Sequence, residues 1–332
     1  MKRIGFYLSL MAVLSSIANM GCSKRESHRP ADNRAIKQGV LYYTAADELI
    51  RYDFQSKEEI TLFSEGDHYR ISPDAKQFIW YKNNFSDGTA HVQIHDLSTP
   101  SDYELVTIPS TLERTPQFIP GTSNFYAALV RAADGTIKRE DLMLFNSDNN
   151  QIVGRIPHVK DFAVLPNGHD LVISAEVLDA QGEANGFALA VIKNFQSENG
   201  QESMLIHQYP DYTQLPTDIS VSSNGQQIVF THLDHLYTVY IQEHATPKQI
   251  TQSRFREVDA AWSKDGKYII FTGNTPDPSL DCGEIRIIPA NPQNPILIPE
   301  DRANNEPVDP LQPIDTKEKS IHACGSEPYV WI

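Results

Sequence analysis

The chain is short of the features that usually announce chemistry. Cysteine is scarce, with Cys22, Cys282 and Cys324 the three among 332 residues, and none sits at a spacing that would hold zinc. Positive charge is scarce as well: 28 Lys and Arg stand against 43 Asp and Glu, a formal charge of −15. Phosphate backbones and anionic head groups need a basic face, so nucleic acid and direct lipid-surface binding are disfavoured. Basic proteins and metal ions stay electrostatically welcome. A Gly-x-Ser-x-Gly elbow, a Walker loop, a Rossmann glycine pattern and a His-Glu-x-x-His pair are all missing.

Long apolar runs are missing too, with one exception at the start. Ile4 to Ala18 follows Lys2 and Arg3 and is too short to read as a membrane span, so residues 1–21 read as an export leader. The leader ends at Asn19-Met20-Gly21-Cys22, which resembles a bacterial lipobox, although Asn19 stands where Leu is usual. Lipidation of Cys22 would also resolve the odd cysteine count, and Ser23 beside it favours the outer membrane. Loss of the two leader cations takes the formal charge to −17. Residues 22–37 then form a polar tether that spans roughly 20 Å as a flexible coil. In an oxidising compartment Cys282 and Cys324 are expected to pair. Closing that loop of roughly 40 residues would contribute about 4 kcal/mol.

What the chain does have is one motif written five times. The copies read ISPDAKQFIW from Ile71, FIPGTSNFYAAL from Phe118, VLPNGHDLVIS from Val164, VSSNGQQIVFT from Val221 and WSKDGKYIIFT from Trp262. Each is an apolar residue, a polar turn and a short apolar strand. Asp74, Gly121, Asn167, Asn224 and Asp265 hold the turn, residues that tolerate the positive φ of a tight hairpin. Successive copies lie 47, 46, 57 and 41 residues apart. A hairpin period in the forties predicts propeller blades.

Third strands are read at HVQIHDL, DLMLFN, GFALAVI, HLYTVYI and EIRIIP, and fourth strands at YELVTI, QIVGRI, SMLIHQ, PKQI and PILIP. The N-terminal end is out of phase: GVLYYTA, ELIRYDF and EITLF look like strands two to four of a blade that lacks its first. PYVWI at 328–332 is a lone strand that completes it. The expected fold is an all-β, six-bladed propeller over residues 38–332, closed by both ends of the chain. Closure removes the exposed edges of an open β array.

WSKDGKYIIFT, preceded by QITQSRFREVDAA, closely resembles the propeller repeat of the TolB family, periplasmic components of the Tol-Pal system. That repeat reads as Leu-Thr, an acidic residue, then Trp-Ser-Pro-Asp-Gly-Lys and a hydrophobic strand. The resemblance covers Gly39 to Ile332 as a fold and is sharpest in the last two blades. TolB proteins carry an α/β domain before the propeller, where this chain has only the tether. The resemblance implies architecture and compartment.

Aligning the repeats puts His68, Thr115, Asp161, Asp218 and Asp259 in one column at the start of the inner strands. Such a column would ring one mouth of the central channel. Three carboxylates there would repel one another and be relieved by a divalent cation, a basic peptide side chain or bound water. The same residues also read as ordinary hydrated strand starts. The long second-to-third-strand loops emerge at that end, with Tyr69, Tyr209, Tyr212 and Phe255 as aromatic anchors for a recognition face. His91 with His95, His232 with His235, and the DAQGEANG loop are each conceivable metal holders, but read more simply as strand and loop residues.

The resulting expectation is a lipid-anchored periplasmic propeller, monomeric and without a resident cofactor, that binds an envelope protein or peptide. The rival is a carbohydrate-active enzyme similar to oligogalacturonate lyase, or a hydrolase, which would need a metal-holding His/Gln cluster in the channel. A third reading is a purely structural envelope protein.

Overall fold

The computed structural model describes residues 39–45, 48–64, 69–112, 114–120, 125–131, 141–146, 151–195, 202–211, 213–273, 282–298, 315–316, 319–320, 322–324 and 329–332. The leader, Cys22, the tether, His68, Gly121, Tyr212 and the Pro-rich stretch after Glu306 lie outside the described residues.

Six antiparallel sheets follow one another along the chain, and we number them as blades 1 to 6. Blade 2 illustrates the pattern: Tyr69–Ile71, Gln77–Asn84, Thr89–Asp96 and Thr99–Ile108 pair in sequence order from the axis outward. Blade 4 (Val159–Val164 to Glu202–Tyr209) and blade 5 (Thr217–Val221 to Lys248–Gln249) repeat it. Among the described residues there is no helix.

The turn motif shows why the repeats fold alike. In blade 2, Ala75 N donates to Ser72 O (2.8 Å) and Ser72 N to Gln77 O (2.8 Å), while the Ser72 hydroxyl donates to the Asp74 carboxylate (2.8 Å). That hydroxyl bond, with further help from Lys76, holds the Asp74 carboxyl below its usual range. Ser222 with Asn224 and Ser263 with Asp265 make the same bonds (2.8 and 2.7 Å). One detail corrects the sequence reading. The positive φ falls one residue later than expected, on Ala75, Gly168, Gly225 and Gly266. The Asp or Asn keeps an ordinary φ because its side chain caps the turn by accepting backbone amides (Gln226 N to Asn224, 3.0 Å).

Blade 1 closes the ring as the out-of-phase ends imply. Its order is Val330–Trp331, Val40–Ala45, Glu48–Asp53, Glu58–Phe63, with Leu41 opposite Trp331 and Tyr42 opposite Val330. Val40 N donates to Ile332 O (2.9 Å) and Ile332 N to Val40 O (3.0 Å). Gly39 is needed here: its φ is 101°, and a Cβ would meet Ile332 O at 2.4 Å.

Two strands differ from expectation. In blade 6 the outermost strand is His322–Cys324, not the PILIP segment. Ile296–Leu297 instead runs parallel to Thr251–Gln252 and straps the blade 5–blade 6 connection, burying Ile250 and Ile298 beneath it. Leu297 is 72% exposed, and the segment lies off the blade 6 ladder, whose outer position His322–Cys324 occupies. In blade 3 the inner strand is split into Thr111–Leu112 and Gln117–Phe118, both paired to Phe125–Arg131, with Pro116 between them.

Among the described residues the core falls into six apolar clusters, each drawn from two neighbouring blades. Phe54, Ile270 and Trp331 join blades 1 and 6, for instance, and Leu144 and Phe162 join blades 3 and 4. Blades are thus held to each other by side-chain burial, about 25 cal/mol for each Å² of apolar surface, and within themselves by backbone ladders.

Candidate functional site: the channel ring

Each inner strand of blades 4, 5 and 6 carries one extra residue where it meets its partner, at Val159/Asp161, Thr217/Ser220 and Val258/Ala261. A β-bulge re-aims side chains and sharpens the local twist. Asp218 and Asp259 sit in these bulges at φ 55° and 57°, a region Asp enters more easily than most residues. Repeated bulges, and not simple strand starts, place the three carboxyl-bearing members of the column, Asp161, Asp218 and Asp259.

The column comes together only in part. Asp161, from blade 4, is 3% exposed and accepts from its neighbour Phe162 N (2.8 Å) and from Ile219 N of blade 5 (3.0 Å). Asp218 lies next to it across that seam. Between them reaches Arg114 of blade 3, with Nε 3.8 Å from Asp161 and Nη1 3.4 Å from Asp218. Burial pushes the Asp161 carboxyl upward, Arg114 opposes that rise, and the Asp218 charge adds to it. Asp259 and Thr115 are also buried, at 3% and 1% exposure. Asp259 interacts electrostatically with Tyr329 beside the closing strand, whose phenol burial raises strongly.

The ring therefore contains its own counter-ion, which sequence reasoning missed although Arg114 adjoins Thr115. Arg114 is the guanidinium that faces both Asp161 and Asp218. The reading of these residues as hydrated strand starts does not hold for Thr115, Asp161 and Asp259, which are buried.

A second carboxylate lies two residues before Asp259. Glu257 is 0% exposed, and its Oε2 accepts from Leu236 N (3.1 Å) and from the Thr251 hydroxyl. His235 Nδ1 lies 3.7 Å from the same oxygen, and Oε1 has no hydrogen-bond partner. Burial raises the Glu257 carboxyl above the usual carboxylate range, against the hydrogen bonds of Thr251 and Ser253. This is a joint between blades 5 and 6, built where no repeat pattern drew attention to it.

The remaining candidates resolve into structure. Tyr69 and Tyr209 are buried in the core, at 2% and 5% exposure, so they are not surface anchors, while Phe255 is half-buried. Their rings fill the seams between blades, which the surrounding polar residues concealed. His95 stacks on Phe78 at 4.5 Å, and His91 reaches Thr107 (3.4 Å). His232 packs on Tyr209 at 4.5 Å, and burial pushes its imidazole down. The Asp179 carboxylate caps its own loop by accepting from Gln181 N and Glu183 N, both at 2.9 Å. Among the described residues no group of three or more His, Cys, Asp and Glu stands ready to hold a metal.

Beyond the ring, toward the first-to-second-strand turns, the axis widens into a cavity of about 440 Å³ lined from all six blades.

No family model matches the chain, and no curated protein is significantly similar to it in sequence. Solved structures are similar in fold. TolB from Acinetobacter baumannii superposes with a TM-score of 0.55 at 12% identity, covering 76% of this chain and 62% of that one. A putative TolB from Agrobacterium tumefaciens gives 0.53 at 12% identity, with 76% and 85% covered. A putative 6-phosphogluconolactonase from Bacteroides uniformis gives 0.54 at 12% identity, with 89% and 100% covered. One architecture thus serves proteins with different names, and likeness at this level fixes fold alone. The chain has the fold of the TolB-like six-bladed β-propellers.

Proposed function

We propose that this chain is a binding propeller of the cell envelope, tethered by lipid on Cys22, that captures a cationic group of a protein or peptide partner at the ring of His68, Thr115, Asp161, Asp218 and Asp259. The observation that carries the reading is the cluster on the channel axis, where the carboxyl groups of Asp161 and Asp218 converge on Arg114. Such a site favours Arg or Lys from a partner, or a divalent cation, over any anion. The carbohydrate-cleaving reading has less support: the cavity walls offer Gln117, already bonded to Phe162 O (2.8 Å), and no histidine among the lining residues.

The test is isothermal calorimetry of the mature chain against an Arg/Lys-rich peptide and, separately, Ca²⁺. Replacing Asp218 and Asp259 with Asn should weaken binding tenfold or more while the melting temperature stays within a few degrees, tenfold being about 1.4 kcal/mol. Unchanged binding in the double variant would move the site to the outer loops.

Compartment and anchoring stand on the leader, the lipobox and the TolB-like fold, and on a register that the sequence did not reveal. Cys282 and Cys324 lie directly opposite one another in adjacent antiparallel strands of blade 6. Opposed residues of such strands have Cα atoms about 4.5–5.5 Å apart, inside the range a disulfide spans. Mass spectrometry of protein purified from a producing bacterium's membranes should find an acylated Cys22 at the N-terminus and a Cys282–Cys324 cross-linked peptide. Cleavage elsewhere would remove the anchor, and two free thiols would remove the oxidising compartment.

A further inference from the structure

Blades 4 and 5 meet along a seam whose walls are not wholly apolar. Strand alternation turns Ser174, His207 and Tyr209 of blade 4 toward blade 5, on the face that carries Val172, Phe187 and Leu189. His232 continues the opposing face, beyond Ile228 and Phe230. Three polar atoms here have no hydrogen-bond partner among the described residues: Ser174 Oγ, Tyr209 Oη and His232 Nδ1. Their residues are 0%, 5% and 6% exposed. Buried polar groups are almost always paired, so three unpaired atoms on one seam call for a reason.

The His232 ring lies 4.5 Å from that of Tyr209 and 5.1 Å from that of Tyr237, and Tyr209 lies 4.8 Å from His207. Burial pushes this imidazole toward its neutral form, the His207 charge adds to that, and a bond to the Gln214 backbone opposes it. The surrounding charged groups are engaged elsewhere or exposed. Glu176, opposite Phe187, is held between His158 Nδ1 (3.2 Å) and Lys160 Nζ (3.1 Å). Asp161 and Asp218 face Arg114, Glu257 faces His235, and Asp211 accepts from Thr213 N (2.8 Å). Asp234, at the hairpin tip after His232, is exposed. A proton on Nδ1 would therefore bury a charge with neither an acceptor nor a counter-ion.

The ring shares this seam. Asp161 accepts from Ile219 N across it (3.0 Å), beside Asp218, and farther out His244 N donates to Leu205 O (3.1 Å). We propose that the seam is a proton-operated joint: a proton on His232 loosens blade 5 from blade 4, parts Asp161 from Asp218, and releases the cationic partner. Only the last step rests on the ring reading proposed above. The sign follows from burial. The folded state favours neutral His232, so the joint is tight above about pH 6.5 and loosens as pH falls below it.

Amide hydrogen exchange of the mature chain at pH 7.5 and 5.5, each scaled to its intrinsic rate, tests the joint. Ile219 and His244, whose amides donate across the seam, should lose at least tenfold in protection at pH 5.5, while Val40 and Ile332 at the closing seam keep theirs. His232→Gln, polar but uncharged, should protect Ile219 and His244 equally at both pH values. His207→Gln removes the opposing charge and should move the opening midpoint to higher pH, which keeps a readout if the first variant does not fold. Calorimetry with an Arg/Lys-rich peptide should show tenfold weaker binding at pH 5.5 than at pH 7.5 in the native chain and no such loss in His232→Gln. A peptide that fails to bind at pH 7.5 would count against the ring, and hydrogen exchange would still decide the joint. Equal protection of Ile219 and His244 at both pH values in the native chain, or an opening midpoint that neither histidine variant moves, would overturn the proposal. Opening without loss of peptide affinity would overturn its coupling to the ring.

Discussion

Trp331→Ala is expected to destabilise the protein by about 3–5 kcal/mol, the cost of emptying a buried Trp site. Trp331 is 7% exposed, and its ring centroid lies 5.1 Å from that of Phe54 and 6.3 Å from that of Tyr268. It therefore packs blade 1 against blade 6. The melting temperature should fall on the order of 10 °C. Position matters as well as amount. Phe230 is 0% exposed in blade 5, in the midst of a continuous chain, and Phe230→Ala should cost a similar free energy. The two variants should differ in where they open. Hydrogen exchange should speed up locally in Val40–Ala45 and Val330–Trp331 for Trp331→Ala, while blades 3 to 5 stay protected. If every blade loses protection equally in both variants, the closing seam is no weaker than any other.

The second large effect lies at Glu257, and its direction follows from burial. The folded-state pKa is raised above the unfolded value, so the native state holds the proton more tightly than the unfolded chain does. The stability contributed by this group is then fully present below about pH 4.5 and is lost as pH rises through the folded value. Glu257→Gln removes the titration while leaving an oxygen for Leu236 N and Thr251. Its stability relative to the native protein should therefore improve as pH rises above 4.5, levelling off once the folded carboxyl has lost its proton. Glu257→Ala leaves those donors without the carboxylate and should cost about 1–3 kcal/mol at pH 4.5, a cost that shrinks as pH rises because Ala removes the same titration. His235 Nδ1 faces the same carboxyl at 3.7 Å, so both measurements should be repeated in a His235→Asn background. A Gln-minus-wild-type difference that is flat across this pH range would show that Glu257 titrates normally.

The architecture could be read from the sequence because the repeats encode it locally. Ser-x-Asx-x-x turns, such as Ser222 with Asn224, bond within six residues, and the alternation after them sets the strands, so hairpins are legible without a fold in view. Closure was legible for a negative reason: PYVWI had no partner of its own. What could not be read depended on distant residues. The φ > 0 position slipped by one because an Asp in such a turn acts through its side chain. Ile296–Leu297 looks like a fourth strand by composition and is a parallel strap by topology. The acidic column was visible in alignment, but its neutralising Arg114 comes from a blade whose repeat is degenerate, and Tyr69 and Tyr209 turned inward at seams that only assembled blades create. Glu257 sits in no repeated position, and its burial against Thr251 and Leu236 is a property of two blades meeting.

The join of Val40 to Ile332 brings together residues 292 positions apart in the chain. A ribosome delivers Val40–Ala45 first and its inner neighbour last. Until Val330–Trp331 emerges, the inner edge of blade 1 is an unpaired strand bearing Leu41 and Tyr43, which are core residues in the finished molecule. Such an edge pairs readily with other chains. Non-local pairing of this span also makes the last step of folding slow. Ring closure covers the inner edge of blade 1 in the finished protein, so that edge is at greatest risk during synthesis.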